Sequence, residues 1–420
     1  MPKDFDLRSI AVGAYGPSLL YGLATGAILP VIALTARDLG ADVATAALVI
    51  TLTGVGSLVT NVPATLITTR FGERNALVGA SLWCAAAMFL ALAAPTLPLF
   101  AAAIFMVGMA GAVFGLARQS YLTEAVPVHF RARALSTLGG VMRIGVFIGP
   151  FAAALAMSFL GLDGAYWVAG VASVIAAAFS WRVPELQVGG RTTSAASNGI
   201  QPFAPPDLAP SLPVPVPVPV VTIRSVMRSH ARIFLTVGLG VVLIAAVRAV
   251  RQAVLPLWAE TIGLDASATA LIYGLSGAID MLIFYPSGKI MDTRGRRWIA
   301  VPCMLIMGTA LTLLPLTADS VGLLLVALLI GFGNGIGSGI VMTLGADLSP
   351  SPGRPQFLGV WRLLTDVGTM GGPALLALVT ALATLSAGIW ATAVLGFLGA
   401  GVLFSFIPRG TPGTAAVTKT

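Results

Sequence analysis

The sequence predicts an all-α membrane protein of twelve transmembrane helices, arranged as two pseudo-symmetric six-helix bundles. Three observations carry that expectation. First, 57% of the 420 residues are hydrophobic and 10% charged, with a mean hydropathy of +0.94; a water-soluble globule of this length does not show such a balance. Second, chemically marked positions recur at one offset of 223 residues: Gly40 with Gly263, Asp42 with Asp265, Gly72 with Gly295, Arg74 with Arg297, Glu124 with Asp347, Arg131 with Arg354, and Gly149-Pro150 with Gly372-Pro373. A shared offset describes two homologous halves of roughly 200 residues each. Third, almost all Lys and Arg fall in alternate loops, which is a topology signal and not a nucleic-acid footprint.

Apolar runs of about 20 residues are long enough to cross a bilayer. They are placed at 9–35, 43–68, 76–95, 98–120, 135–160 and 165–183, and again at 231–258, 266–290, 298–316, 321–345, 356–382 and 387–407. The first six form an N-terminal bundle over 1–183 and the second six a C-terminal bundle over 231–408, followed by a tail over 409–420. Residues 184–230 separate them. That segment ends in alternating Pro and Val near Val221, a pattern that cannot propagate a helix and favours the extended polyproline conformation. It reads as a semi-stiff tether, or else as a ligand for a signalling domain. Pro17, Pro30, Pro63, Pro256, Pro286 and Pro302 punctuate the spans; in a bundle, neighbouring helices and water satisfy the freed carbonyls, so some mark bends and others sit in end turns.

Charge sets orientation. Arg70, Arg74, Arg131, Arg133, Arg182, Arg224, Arg228, Arg294, Arg296, Arg297, Arg354 and Arg409 share one set of loops, whereas the other set holds Arg37 alone among acids such as Asp38, Glu260 and Asp319. The expectation is a multi-pass protein of the cell membrane with both termini cytoplasmic. Cys84 and Cys303 lie inside apolar runs in different halves and read as small buried hydrophobes rather than a disulfide or metal site. His129 and His230 both fall in loops, and no metalloprotease or phosphate-loop motif occurs. Neither an enzyme, an ATP-driven pump, a metal site nor a cofactor is expected. Lys3 and Arg8 precede a run too long for a cleavable signal.

The most specific stretch is Gly288 to Arg297, GKIMDTRGRR. Gly288, Asp292 and Arg296 recur every four residues and share a helix face. Gly295 can end that helix in a left-handed conformation. Asp292 is placed to cap a neighbouring helix N-terminus, while a basic loop obeying the positive-inside bias is the plainer reading. An earlier copy, TRFGER, lies at Thr69 to Arg74, with Thr65, Thr69 and Glu73 where the second copy has Gly288, Asp292 and Arg296. The G-x3-D-x-x-G-R-R spacing resembles the loop that the major facilitator superfamily of transporters carries between the second and third spans of each half. The resemblance implies two parallel six-helix bundles around a central cavity, alternating access, a small-molecule substrate and function as a monomer in the bilayer. It also implies that Asp347 meets Arg296, with Arg354 close by. In the first half Glu124 would use Arg70, Arg74 or Arg131 instead, because Glu73 has replaced the matching Arg.

In the fifth span Arg143, Gly145, Gly149 and Pro150 make R-I-G-V-F-I-G-P, and the eleventh holds D-V-G-T-M-G-G-P over Asp366 to Pro373, with Gly368 and Gly372. Small residues four apart permit close helix contact. The fifth-span pattern also resembles the antiporter motif of drug exporters in that family, with Ser136, Ala153 and Ala154 replacing its outer glycines, and the Arg expected of the family near position 104 is Ile104.

Charges inside a span are expensive and mark function or helix register. They are Arg143, Arg248, Arg251, Asp280, Arg362 and Asp366. Asp280 and Asp366 are the proton-coupling candidates, since a buried carboxyl beside a mobile Arg can switch its charge. Counting turns puts Arg143 and Asp280 at one depth, and the resemblance implies that the fifth and eighth spans are neighbours across the two halves, so the two are expected to meet. Arg362 and Asp366 lie i,i+4 on one helix and can neutralise each other. Arg248, Arg251 and Arg362 are the substrate-cavity candidates: the Arg248–Arg251 pair on a cavity wall can hold an anionic group, with snorkelling to the headgroup level the rival for Arg251. The leading expectation is a proton-coupled exporter of drug-like or amphipathic molecules; the alternative is a carrier of an organic anion or metabolite.

Overall fold

In a computed structural model the chain is described over residues 15–126, 131–182, 222–350 and 353–407, with the side chains of Glu124, Arg131–Arg133, Leu135, Ser136 and Pro355 outside that description. The Pro-Val segment, the C-terminal tail and the partners expected of Glu124 and Arg131 therefore lie outside the described residues. Every element among the described residues is helical: α1 (Gly16–Ile28), α2 (Ile32–Asp38), α3 (Val43–Leu92), α4 (Leu97–Ala125), α5 (Arg131–Leu160), α6 (Asp163–Trp181), α7 (Ile223–Ser229), α8 (Ala231–Leu235), α9 (Val237–Thr261), α10 (Ala266–Arg294), α11 (Arg297–Leu313), α12 (Ser320–Ile336), α13 (Ile340–Leu348), α14 (Arg354–Leu382) and α15 (Leu385–Phe406).

Ten helical stretches are long and apolar enough to cross a membrane, and the pair α1–α2, bent by 41°, makes an eleventh. The 50-residue α3 counts twice. At about 1.5 Å per residue it would run some 75 Å if straight, more than twice a bilayer core, but Gly72 interrupts it at φ 80°, ψ 161°. Gly295, between α10 and α11, has φ 95°, ψ 163°. Both sit in the mirror-image extended region that is essentially open to glycine alone, not in the left-handed helical region expected for Gly295.

The same correspondence holds at the other end of these spans. Gly40 and Gly263 have φ of 86° and 78°. Asp42 and Asp265, two residues on, accept hydrogen bonds from the Thr45 and Ala268 amides at 2.7 and 2.8 Å, capping α3 and α10. The Thr45 hydrogen bond lowers the Asp42 carboxyl below its ordinary pKa, so the cap stays charged where it meets the helix N-terminus.

The glycines of the fifth and eleventh spans set the helix packing. A Cβ at Gly149 would lie 2.6 Å from the Leu23 carbonyl oxygen of α1, and one at Gly372 would lie 2.8 Å from the Ala246 Cα of α9. Leu23 and Ala246 are again 223 residues apart, so the two halves pack their first and fifth spans alike. Between the halves, α3 packs on α14 and α5 on α10. Not all bends follow prolines. Pro63, Pro150, Pro256, Pro286, Pro302 and Pro373 lie inside continuing helices. The tenth span instead breaks at Gly337–Gly339, where Gly339 has φ 86°.

Candidate functional site: a charged central cavity

The seventh span carries Arg248 and Arg251 one turn apart, and both face the eighth and tenth spans. There α10 presents Asp280 and Tyr273, and α12 presents Asn334. The Arg248 Nε donates to the Asn334 Oδ1 at 2.6 Å, and the Asn334 Nδ2 donates to the Asp280 Oδ2 at 2.6 Å. The Arg251 Nη1 approaches the same Asp280 oxygen at 3.4 Å. The Arg251 guanidinium also lies 5.8 Å from the centroid of the Tyr273 ring. One amide therefore relays between an arginine and a carboxylate that a second arginine shares, so Arg248, Asn334, Asp280 and Arg251 each reach a partner despite burial.

This cluster lines a cavity of about 380 Å³, closed on the other side by Arg143, Met142, Phe147 and Pro150 of α5 and by Arg118 of α4. Arg143 does not meet Asp280. Its guanidinium stacks 3.9 Å from the centroid of the Phe284 ring, and its Nη1 is buried with no hydrogen-bond partner. Asp280 takes Arg251 and Asn334 instead. Both side chains line the same cavity, but their bearings around the helix axes keep them apart. Four arginines face one aspartate here, a surplus of positive charge in a site of low dielectric.

A second cavity of about 450 Å³ shares Arg118 and Met142 with the first. Its walls mix apolar residues with uncharged polar ones, Thr25, Thr53, Ser57, Asn61, Thr65 and Gln119, and include Arg362. The Arg118 Nη1 lies 2.7 Å from the Met142 sulfur. Arg362 and Asp366 pair at 3.4 Å as their spacing predicts, with Asp366 also accepting from the Asn61 Nδ2 across the halves at 3.3 Å. Asp366 thus belongs to the contact between the second and eleventh spans rather than to the arginine cluster.

The loop candidates gather apart from the cavity. The Arg296 Nε donates to Asp347 at 2.8 Å and its Nη1 to Asp292 at 3.0 Å. Asp292 is committed to this cluster and does not cap a neighbouring helix. Burial alone would lower the Arg296 pKa, but Asp347 and Asp292 outweigh it and raise it. Arg354 is exposed, Arg297 stacks 3.5 Å from the centroid of Phe404, Arg70 stacks 5.7 Å from Phe71, and Arg74 stacks 5.5 Å from Trp181. Glu73, which stands where the second half has Arg296, accepts from the Ser120 hydroxyl at 3.2 Å. Among the described residues no group of three or more metal-ligating side chains occurs.

Gly145 and Gly149 of the fifth span are spent on packing against α1. The residues that sequence reasoning missed are Asn334, which bonds Asp280, and Tyr273 and Ser338, which line the same cavity. Their signal was faint: one amide in a glycine-rich run, one phenol, and one serine at a helix break.

Comparison with known proteins places this architecture. The chain matches the Major Facilitator Superfamily over residues 18–351 and 237–420. It is similar to the uncharacterized MFS-type transporter YfkF of Bacillus subtilis (strain 168), at 28% identity over 140 residues, which cover 33% of this chain and 36% of that relative's length. Solved structures share the fold at low identity. A D-xylose-proton symporter aligns with a TM-score of 0.69 and 15% identity over 96% of this chain and 98% of its own. A POT family transporter in complex with a thioalcohol-conjugated peptide gives 0.74 and 13% over 95% and 96%. The nucleoside transporter NupG gives 0.70 and 13% over 94% and 98%. With the halves repeating at one offset and packed around a shared cavity, the chain belongs to the Major Facilitator Superfamily, a family of multi-pass membrane transporters.

Proposed function

We propose that this transporter carries a small organic anion, with proton coupling through Asp280, across the membrane by alternating access. The observation that carries the reading is the charge balance of the central cavity: Arg118, Arg143, Arg248 and Arg251 against Asp280. A cavity with that surplus repels a cationic drug and attracts a carboxylate, phosphate or sulfonate. Arginine offers a planar fork suited to such groups. The adjoining cavity, with its hydroxyls and amides, supplies hydrogen bonds for an uncharged polar body. Asp280 is the natural coupling group because a substrate anion and Asp280 compete for Arg251. A proton taken up by Asp280 releases that arginine to the substrate, and substrate departure lets the pair re-form.

The drug-export reading rested on the fifth-span glycine pattern, and the packing of Gly145 and Gly149 against α1 accounts for those glycines without it. The test is purified protein in liposomes under an inward acid gradient. Gradient-driven uptake of members of a panel of mono- and dicarboxylates and phosphate esters is expected, with lipophilic cations excluded. Transport of cationic or neutral compounds alone would overturn the anion reading.

A further inference from the structure

A second cavity system lies away from the transport pathway, and the repeat exposes its logic. In the first half, a groove of about 560 Å³ runs between the lower arm of the second span and the third and fourth spans. Its walls are apolar side chains such as Ile67, Met109 and Val113. The second half has a groove of about 300 Å³ whose walls include Ile290, Phe332 and Ile336. Each of these is 223 residues beyond its first-half counterpart, so the groove is a property of the repeated fold and not an accident of one helix. The two differ in filling. Gly79 and Asn75 of the first half are replaced by the bulkier Pro302 and Trp298 in the second, where the groove is smaller.

The first-half groove is therefore the larger one. From Thr60 to Phe71 it follows eleven residues of helix, roughly 16 Å at about 1.5 Å per residue. That is half of a hydrocarbon core of about 30 Å, the depth of one leaflet. Its outer end lies beside the arginine-bearing loop at Gly72, where the Arg70 guanidinium stacks on Phe71, itself a groove wall, and is exposed. An apolar slot one leaflet long with a cation at its mouth matches the two ends of one molecule.

We propose that the groove between the second, third and fourth spans holds one acyl chain of an anionic phospholipid, whose phosphate headgroup is held by Arg70. The driving terms are separate. Burial of the chain against Ile67, Met109 and Trp83 is apolar, and the headgroup adds the attraction of a basic residue for an anionic surface. Zwitterionic lipid gains the first term without the second, so the site selects by charge.

The experiment uses the full-length protein in phosphatidylcholine vesicles containing either chain-brominated phosphatidylglycerol or, at the same mole fraction, chain-brominated phosphatidylcholine. Bromine quenches the fluorescence of a tryptophan it touches, and Trp83 lines the groove. Quenching by the phosphatidylglycerol is expected at lower mole fraction than by the phosphatidylcholine, and the difference should vanish in Trp83→Phe. Arg70→Gln should weaken the preference about fivefold, the effect of one basic residue near an anionic surface. Gly79→Leu should abolish it, because a side chain there enters open space within the groove. Equal quenching by the two lipids would overturn the proposal, as would a preference that survives Trp83→Phe or is untouched by Arg70→Gln. Arg70 is at the surface, so its variant tests the proposal whether or not Gly79→Leu folds.

Discussion

Arg37 and Glu260 lie 223 residues apart, the offset that relates the two halves, and their side chains pair at 3.1 Å. Positions equivalent under a twofold relation can touch only beside the axis. The pair therefore sits on the pseudo-twofold, at the end of the molecule remote from Gly72 and Gly295. Arg37 Nη1 also donates to the Ala41 carbonyl at 2.7 Å, which fixes the guanidinium against its own half. Ser267 adds another bond between the halves at this end, to the Ala154 carbonyl at 3.4 Å.

This end should act as a latch for the state in which the halves meet there. Both side chains are about one-third exposed, so the pair contributes about 0.2–1 kcal/mol. Glu260→Gln should shift the population towards the form open at this end by about 1.4- to 5-fold, read as longer distances between spin labels on the two halves. Because the partners occupy equivalent positions, the charge swap Arg37→Glu with Glu260→Arg should restore the wild-type distances. A swap that behaves like the single variant would show that the contact is incidental.

Asp280→Asn should leave the protein inserted and stable, since an amide can keep the bond to Asn334 with the amide groups suitably turned. It should remove the dependence of uptake on the proton gradient. Gradient-driven uptake at wild-type rate in that variant would move coupling to Asp366.

Arg248→Ala and Arg251→Ala should each weaken binding of an anionic substrate, by about 10- to 150-fold if one charge-assisted hydrogen bond of about 1.5–3 kcal/mol is lost. Competition against a transported anion measures this. An unchanged affinity in both variants would place the substrate outside the arginine cluster.

The Arg296 cluster should respond to salt, and its arginine should keep its charge through neutral and mildly alkaline pH. A pKa raised above the unfolded value contributes stability that is complete below the unfolded pKa and lost only above the folded one; for an arginine that window is strongly alkaline. Arg296→Ala should weaken the α10–α13 contact and slow transport more than Glu73→Ala, whose side chain accepts from the Ser120 hydroxyl. Cross-linking rates between cysteines in the loops at Gly72 and Gly295 would show the difference.

Gly149→Leu and Gly372→Leu should cost similar stability, of the order of 1–3 kcal/mol for an overpacked contact, because each places a side chain against the backbone of the first span of its half. Gly79→Ala, with open space around its Cβ, is the control. Melting temperatures in detergent compare the three. Loss at Gly149 with tolerance at Gly372 would break the equivalence of the two interfaces.

The repeat was legible because it is written in residues with few substitutes: glycines at positive φ, capping aspartates, and arginines that bilayers exclude. The same offset that paired Gly72 with Gly295 located the shared kink and the shared packing of α5 and α14. The Arg296–Asp347 pair followed from the family loop. The central cluster was less legible. Depth along a helix follows from counting residues, but the side a residue faces depends on helix rotation, which neighbours set; hence Arg143 found Phe284 and Asp280 found Arg251. Asn334 was hidden because an amide among glycines reads as a packing position, and the break at Gly337–Gly339 because alternate glycines from Gly331 onward serve close contact equally well.

That break has no counterpart in the first half. The equivalent residues, Phe114 to Leu116, lie within the continuous α4, where Phe114 stacks on Tyr21 with centroids 4.0 Å apart and rings 9° from parallel. One arm of the machine is thus jointed and the other is a stiff rod. The second half can swing its lower tip, with Asp347 and the Arg296 cluster attached, while the upper part keeps Asn334 on Asp280. Two halves alike in plan would then contribute unequally to each stroke, one as the moving jaw and one as the anvil. Spin labels at the lower ends of α4 and α13 should show the second to be the more mobile.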